Sequence, residues 1–232
     1  MKRNKIIVEA LSQDKLREYK KRVAFHEAGH AAGIHLNNQA NHLPPAFFNI
    51  NFKELSAMTD ADVMAYQSPH NDCIARVEGG RLIEALPPSI NSLVCGLTEH
   101  NDTRVQLAKD YMKAFEADII NLLIGPLAEA KHVADIDDEL FNHQLISLEA
   151  LKYYGGNFDL ALVNKYLQSF SADKQQQDEK SAELFTAAFD FVNNNANWKA
   201  ITKLADYILG SSKNIICCAE IVSILDQVEL AG

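Results

Sequence analysis

The chain has 232 residues, and its hydrophobic content of 47% is enough to build a core and excludes a disordered chain. The formal net charge of −9 argues against non-specific nucleic-acid binding, so we expect no nucleic-acid partner. No apolar run of about 20 residues is present, so we expect no membrane span, and the N-terminal stretch lacks the apolar core of a secretion signal. The length allows one domain or two small ones, and the expected compartment is reducing and cytoplasmic.

The four cysteines are Cys73, Cys95, Cys217 and Cys218. None belongs to a CxxC pair, and this low density argues against a disulfide framework. Cys217 and Cys218 lie in IICCAEIVSIL, whose pattern predicts a buried helix. Both are therefore expected to be small apolar residues of the core.

The first predicted element is a long helix over residues 5–36, because apolar and small residues recur at helical spacing through LREYKKRVAFHEAGHAAGIHL. The alternation in FFNINF, residues 47–52, then predicts a short strand of a small hairpin. Residues 60–103 contain Gly-Gly and Pro-Pro pairs and predict an irregular flap with one candidate helix at 71–85.

Helical periodicity returns at Asp102 and continues through a stretch rich in apolar residues. We expect Gly125 and Pro126 to interrupt it, because proline is tolerated in the first turn of a new helix but not in a helix interior. A further helical segment is predicted at 137–150. The stretch YGGN, residues 154–157, predicts a turn before the next helix.

Two more helices are predicted at 180–195 and 197–210, and SSKNIICCAEIVSILD closes the chain. The sequence contains no internal repeat, and its composition is uniform. These patterns predict a mainly α fold, organised as a single domain over residues 1–232, with a small β element after the first helix.

The sequence HEAGH, residues 26–30, places two histidines one helical turn apart. At about 100° per residue, His26 and His30 differ by about 40° around the helix axis and point the same way. This spacing suits one zinc ion, and Glu27 flanks the pair where it can act as a general base toward water. The motif predicts a hydrolytic zinc site. The alternative is an exposed helix with unrelated histidines, but the small and apolar flanking residues favour burial, where polar groups need partners.

Catalytic zinc usually has a third protein ligand, and the residues alone leave several candidates open. His35 lies about 180° from His26 on a continuous helix, so it would reach the ion only if the helix ended at Gly33. Glu78 and Glu84, in ARVEGGRLIEAL, are candidates of the carboxylate type.

The stretch VAFHEAGHA resembles the zinc-site helix of the FtsH-type peptidases, the protease domains of membrane-bound ATP-dependent zinc metalloproteases. IINLLIGPLAEA, residues 119–130, and GGNFDLAL, residues 155–162, are similar to later stretches of the same family. The resemblance implies a helical zincin-like domain with Asp159 as the third zinc ligand. It also implies that Glu129 orients a ligating histidine. A helix N-cap is the alternative role for Asp159, and a surface or capping carboxylate for Glu129.

The chain departs from that family in two ways. It has no GxxxxGK[ST] phosphate loop, and residues 37–103 are expected to be a divergent insert or flap. The resemblance therefore implies a stand-alone Zn2+-dependent endopeptidase that hydrolyses unfolded or short peptides. Substrate would arrive unaided, through a separate ATPase, or after self-association. The alternatives are a non-catalytic relative that binds a metal or a partner, and a hydrolase of non-peptide amides.

Overall fold

The computed structural model describes residues 2–52, 75–90 and 102–229, with side chains over 13–52, 75–90 and 105–227. Within these ranges the protein is mainly helical, which confirms the predicted mainly α fold. The helices are α1 (Lys2–Ala32), α2 (Asp102–Ile136), α3 (Asn157–Phe170), α4 (Lys174–Asn193), α5 (Asn195–Gly210) and α6 (Cys218–Glu229). The strands are β1 (Phe48–Phe52), β2 (Ala75–Gly79) and β3 (Ile215–Cys217).

The chain continues beyond α1 in a π-helical turn, Gly33–Asn37, and a short helical turn, Asn38–Ala40. The predicted helix over 5–36 is therefore confirmed. α1 packs closely on α2 at Gly29, where an added Cβ would lie 2.7 Å from Ala128 Cβ. His30, the next residue on α1, contacts the backbone of α2 through its Nδ1, which lies 2.9 Å from the carbonyl oxygen of Asn121.

The predicted interruption at Gly125 and Pro126 is wrong, because both residues lie inside the continuous helix α2. A proline in a helix interior costs roughly 3 kcal/mol. The neighbouring Ile124 and Leu127 are completely buried, and the packing of this face outweighs the cost. Gly125 is needed for a close approach, since a Cβ there would overlap the imidazole of His30.

The three strands form one sheet in the order β2-β1-β3, with β1 antiparallel to both neighbours. The predicted strand and hairpin are confirmed, and Ile50 of β1 pairs with Val77 of β2. The candidate helix at 71–85 is wrong where it can be compared, because residues 75–79 form β2. Residues 53–74 and 91–101, which include most of the predicted flap and both Cys73 and Cys95, lie outside the described residues.

The predicted helix at 137–150 is also wrong. Turns occupy this stretch until a 3-10 helix, Leu148–Tyr153, begins under a cap from Ser147. Asp138 has a left-handed backbone conformation with φ of 53°, and this conformation ends the preceding helix. The helices predicted at 180–195 and 197–210 are confirmed as α4 and α5, although α4 begins earlier than expected.

The cysteines at the end of the sheet differ from the prediction. Cys217 is the last residue of β3 and is exposed, and Cys218 begins α6 and is half-buried. Both are free thiols. Side chains alternate between the two faces of a strand, so Ile216 points into the core while Ile215 and Cys217 point outward.

Buried apolar side chains form two clusters that meet at the α1–α2 contact. The first joins α1 to the sheet, α5 and α6, and includes Ala28, Ile50, Leu204 and Leu225. The second joins α2, α3 and α4, and includes Ile124, Tyr166 and Phe189. Within the described residues, no helix is long and apolar enough to span a bilayer.

Candidate metal centre

The HEAGH segment lies on the buried part of α1 and faces both α2 and the start of α3. His26 and His30 point the same way, and their Nε2 atoms are 3.1 Å apart. The first turn of α3 brings Asp159 to both rings, with its carboxylate oxygens 3.4 Å from His26 Nε2 and 3.4 Å from His30 Nε2. Among the described residues these three form the cluster whose ligand atoms lie within 4.8 Å of one another.

In each histidine, the hydrogen bond made by Nδ1 determines whether Nε2, which faces the cluster, is a donor or an acceptor. His30 Nδ1 lies 2.9 Å from the carbonyl oxygen of Asn121, which can only accept a hydrogen bond. His26 Nδ1 lies 3.1 Å from a carboxylate oxygen of Glu129 and 3.2 Å from the carbonyl oxygen of Tyr154. Both Nδ1 atoms must therefore carry protons, and in a neutral imidazole Nε2 is then an acceptor.

With both rings neutral, the two Nε2 lone pairs and the Asp159 carboxylate converge on one buried point. Three acceptors at this separation repel one another unless a cation lies between them. A tetrahedral zinc ion with bonds of about 2.0–2.1 Å requires ligand atoms about 3.3–3.4 Å apart. The two Nε2 atoms are 3.1 Å apart, and each lies 3.4 Å from a different carboxylate oxygen of Asp159. These separations are close to that requirement, so the residues present fit such an ion.

The pKa shifts within the cluster come from the attraction between its acidic and basic groups. Burial acts to lower the pKa of His26, but its hydrogen bonds with Asp159 and Glu129 and their charges raise this pKa well above its usual value. Burial acts to raise the pKa of Asp159, yet the two histidines hold it below its usual range. The site therefore favours an ionised Asp159 next to a positive charge.

Asp159 is not a helix cap in this structure. Gly156 occupies the N-cap of α3, and Asp159 lies within the first helical turn. Gly155 has a φ of 71°, a conformation that glycine adopts without strain, and it makes the turn that leads into α3. The turn predicted from YGGN thus places Asp159 beside the histidines.

Glu27 faces the sheet and is buried. Its Oε2 accepts a hydrogen bond of 2.7 Å from the backbone N–H of Val77 in β2. Burial raises the pKa of Glu27, and the charges of His26 and His30 oppose this rise only in part. A carboxylate in this environment accepts a proton more readily than one in water.

Glu129 lies behind His26, as the resemblance implies, and is completely buried with 0% exposure. One carboxylate oxygen faces His26. The other accepts a hydrogen bond from Arg22 Nε at 2.8 Å and forms an ion pair with Arg22 Nη2 at 2.7 Å. The sequence reasoning missed Arg22. The available signal was its position four residues before His26, which places it on the same face of α1.

The other candidates for a third ligand lie elsewhere. His35 Nε2 is 2.6 Å from Asp226 in α6, so it joins the end of α1 to the last helix. Glu78 and Glu84 are exposed residues on the wall of the adjoining cavity and do not join the cluster. The structure therefore brings together His26, His30 and Asp159, and leaves these three residues outside.

A cavity of about 1330 Å³ opens onto the cluster between α1, β2, α2 and α3. It exceeds the roughly 300–1,000 Å³ typical of small-molecule pockets. Two exposed aromatic residues lie on its wall, Phe47 with 74% exposure and Phe158 with 55%. The guanidinium carbon of Arg76, from β2, lies 4.5 Å from the centre of the Phe158 ring. The described residues thus form a wide, partly apolar entrance.

No protein-family model matches this chain, and no curated protein or solved structure is significantly similar to it. Fold and site together define a coarse class: a mainly helical protein with a buried His-His-Asp cluster that can hold a metal ion. The particular function is argued below from the geometry of the cluster.

Proposed function

We propose that this chain is a zinc metalloendopeptidase that hydrolyses peptide bonds of unfolded or short peptides. The observation that carries the proposal is the convergence of three acceptors at separations of 3.1 Å and 3.4 Å beside the buried Glu27. His26, His30 and Asp159 would hold the ion, and three protein ligands are typical of catalytic rather than structural zinc.

Zinc at this point would lower the pKa of a water molecule and polarise the substrate carbonyl. Glu27 would take the proton from that water and pass it to the leaving amine. The N–H of Val77 binds one Glu27 oxygen, Oε2, and holds the carboxylate in one orientation. Proton transfer is accordingly assigned to the other oxygen, Oε1.

The peptide substrate class is supported by the shape of the cavity and by the sheet. Among the described strands β2 lies at the edge of the sheet, and the N–H of Val77 points away from β1 and toward Glu27. An extended peptide can pair with such an edge through its own backbone. FFNINF does not offer this edge, because β1 lies between β2 and β3. The resemblance of VAFHEAGHA to the FtsH-type zinc helix also favours a peptide substrate.

The test uses the purified full chain with zinc supplied in slight excess. The zinc content is measured first, and hydrolysis of unfolded casein and of a broad fluorogenic peptide library follows. Glu27→Gln is expected to retain zinc and to lose about 10²–10⁴-fold in turnover, the usual contribution of a general base. Glu179→Gln, an exposed substitution on α4, is the matched control and should cleave like the wild type.

Three results would contradict the proposal. If the wild type does not bind zinc, the proposed metal site is wrong. Stoichiometric zinc without any hydrolysis favours the non-catalytic alternative, a metal-binding or partner-binding module. Equal turnover by Glu27→Gln and the wild type removes Glu27 from the reaction.

A further inference from the structure

We propose that Arg22 is a positioning residue of the metal centre, which acts through Glu129 on His26 and thereby tightens metal binding. The inference rests on the proposed function and extends it to a residue outside the HExxH motif. It is drawn from the contacts that Arg22 makes and from the charges around the cluster.

Arg22 connects the three segments that carry the proposed ligands or lead to them. It lies on α1 four residues before His26. Its Nε and Nη2 bind Glu129 of α2 at 2.8 Å and 2.7 Å. Nη2 also donates to the carbonyl oxygen of Tyr153 at 3.1 Å, just before the turn that leads to α3 and Asp159. One side chain therefore ties α1, α2 and the approach to α3 together.

The hydrogen bonds explain how Arg22 affects metal binding through Glu129 and His26. Glu129 must accept the Nδ1 proton of His26 so that Nε2 faces the cluster as an acceptor. A completely buried carboxylate stays ionised only when a cation or several donors compensate its charge. Arg22 supplies both a positive charge and two donors to Glu129. Without it, Glu129 loses the ion pair that holds it toward His26.

The charge balance supports the same role. Three buried carboxylates surround the cluster, those of Glu27, Glu129 and Asp159. With all three ionised, their charge exceeds that of a divalent ion by one, and Arg22 supplies a matching positive charge next to Glu129. Loss of Arg22 would leave an uncompensated negative charge in a buried site, which is unfavourable in the folded protein.

Arginine is required here rather than a cation in general. Nε and Nη2 of its planar guanidinium group both contact the carboxylate of Glu129. Nη2 also donates a hydrogen bond to the carbonyl oxygen of Tyr153. A lysine at position 22 has a single donor atom, so it would keep the charge and lose part of the geometry. Arg22→Lys should therefore fall between the wild type and Arg22→Gln.

The test measures the affinity of the full chain for Zn2+ by competition with a chromophoric chelator, and it needs no substrate. Arg22→Gln is expected to bind zinc about 10–100-fold more weakly, the usual effect of losing a partner behind a ligand. Arg22→Lys should recover part of this loss. The control is Lys21→Gln, because Lys21 forms a surface pair with Glu18 at 3.9 Å. That variant should bind zinc like the wild type.

A double variant separates a positioning role from a general structural one. If Arg22 acts through Glu129, then Arg22→Gln combined with Glu129→Gln should bind zinc no more weakly than Glu129→Gln alone. The visible spectrum of the Co2+-substituted protein should change in Arg22→Gln and not in Lys21→Gln. Circular dichroism establishes that each variant is folded.

The possible outcomes are distinguishable. Unchanged zinc affinity in both Arg22 variants overturns this inference and leaves the proposed peptidase intact. Additive losses in the double variant also overturn it, because Arg22 then acts independently of Glu129. Failure of the wild type to bind zinc overturns the proposed function, and this inference with it, before any variant is measured.

Discussion

The backbone N–H of Val77 donates a hydrogen bond of 2.7 Å to Glu27 Oε2, and this bond joins the edge of the sheet to the helix that carries both histidines. The proposed base is therefore held by the strand that is proposed to align the substrate. A peptide paired with β2 would lie next to Glu27, which already accepts the hydrogen bond of the Val77 N–H. The contact makes the orientation of Glu27 depend on the pairing of β2 with β1.

Asp159→Asn tests the third proposed ligand. The substitution keeps the shape of the side chain but removes the negative charge that faces both imidazoles. Zinc affinity should fall by more than the 10–100-fold that is typical of a partner behind a ligand, because a direct ligand is altered. Chelator competition measures it, with the exposed Asp206→Asn as the control. Wild-type affinity in Asp159→Asn would exclude Asp159 as a ligand.

Gly125→Ala tests the space that α2 leaves for the site. A Cβ at this position would overlap the ring of His30 and push it away from its hydrogen bond with Asn121. Zinc affinity should fall. The unfolding midpoint should fall less than in Gly29→Ala, because the overlapping atoms belong to a side chain rather than to the backbone and alanine favours a helix by about 1 kcal/mol over glycine. Chelator competition and thermal unfolding measure the two effects separately.

Gly29→Ala is the matched comparison for that experiment. Its Cβ would lie 2.7 Å from Ala128 Cβ and 2.9 Å from the carbonyl oxygen of Ile124, so it would force α1 and α2 apart. The midpoint of thermal unfolding should fall, by the equivalent of about 1–3 kcal/mol for an overpacked contact. An unchanged midpoint would show that the α1–α2 contact is looser than described.

Removal of the ion should lower stability. A ligand that binds only the folded state stabilises it by about 2.7 kcal/mol at a free concentration of about 100 times its Kd. The unfolding midpoint should therefore rise when zinc is added to the chelated protein and fall again with excess chelator. Glu27→Gln should keep this shift and Asp159→Asn should lose most of it. Absence of a shift in the wild type would count against a specific site.

His132 should make the folded state less stable in mild acid. It stacks on Phe25 with ring centres 3.8 Å apart, and burial lowers its pKa, although the charge of Glu18 opposes this effect. Because its pKa is lower in the folded than in the unfolded state, its contribution is complete above about pH 6.5 and is lost as the pH falls. Between about pH 7 and 5, the unfolding free energy of the wild type should therefore fall by more than that of His132→Phe. A difference that does not vary with pH would contradict this assignment.

Much of the fold could be predicted because the relevant signals are local. Alternation in FNINF is a property of adjacent residues and correctly predicted β1. The failures occurred where long-range packing outweighed a local preference. Pro126 remains inside α2 because its neighbours are buried against the rest of the protein, and residues 75–79 form β2 because they pair with β1.

The sequence by itself determined the relationship between His26, Glu27 and His30. Their spacing within one helix sets the angles between their side chains, whatever the rest of the chain does. The resemblance also pointed to Asp159 and Glu129, although no distance could be derived for either.

Only the tertiary structure decided what surrounds those histidines. Asp159, Glu129 and Arg22 meet at the site through contacts that join α1 to segments more than one hundred positions further along the chain. Such contacts depend on how close α1 and α2 approach at Gly29 and where the turn at Gly155 directs α3. The physical reason is that helical periodicity fixes direction within an element, whereas the distance between elements is set by the packing of their buried faces.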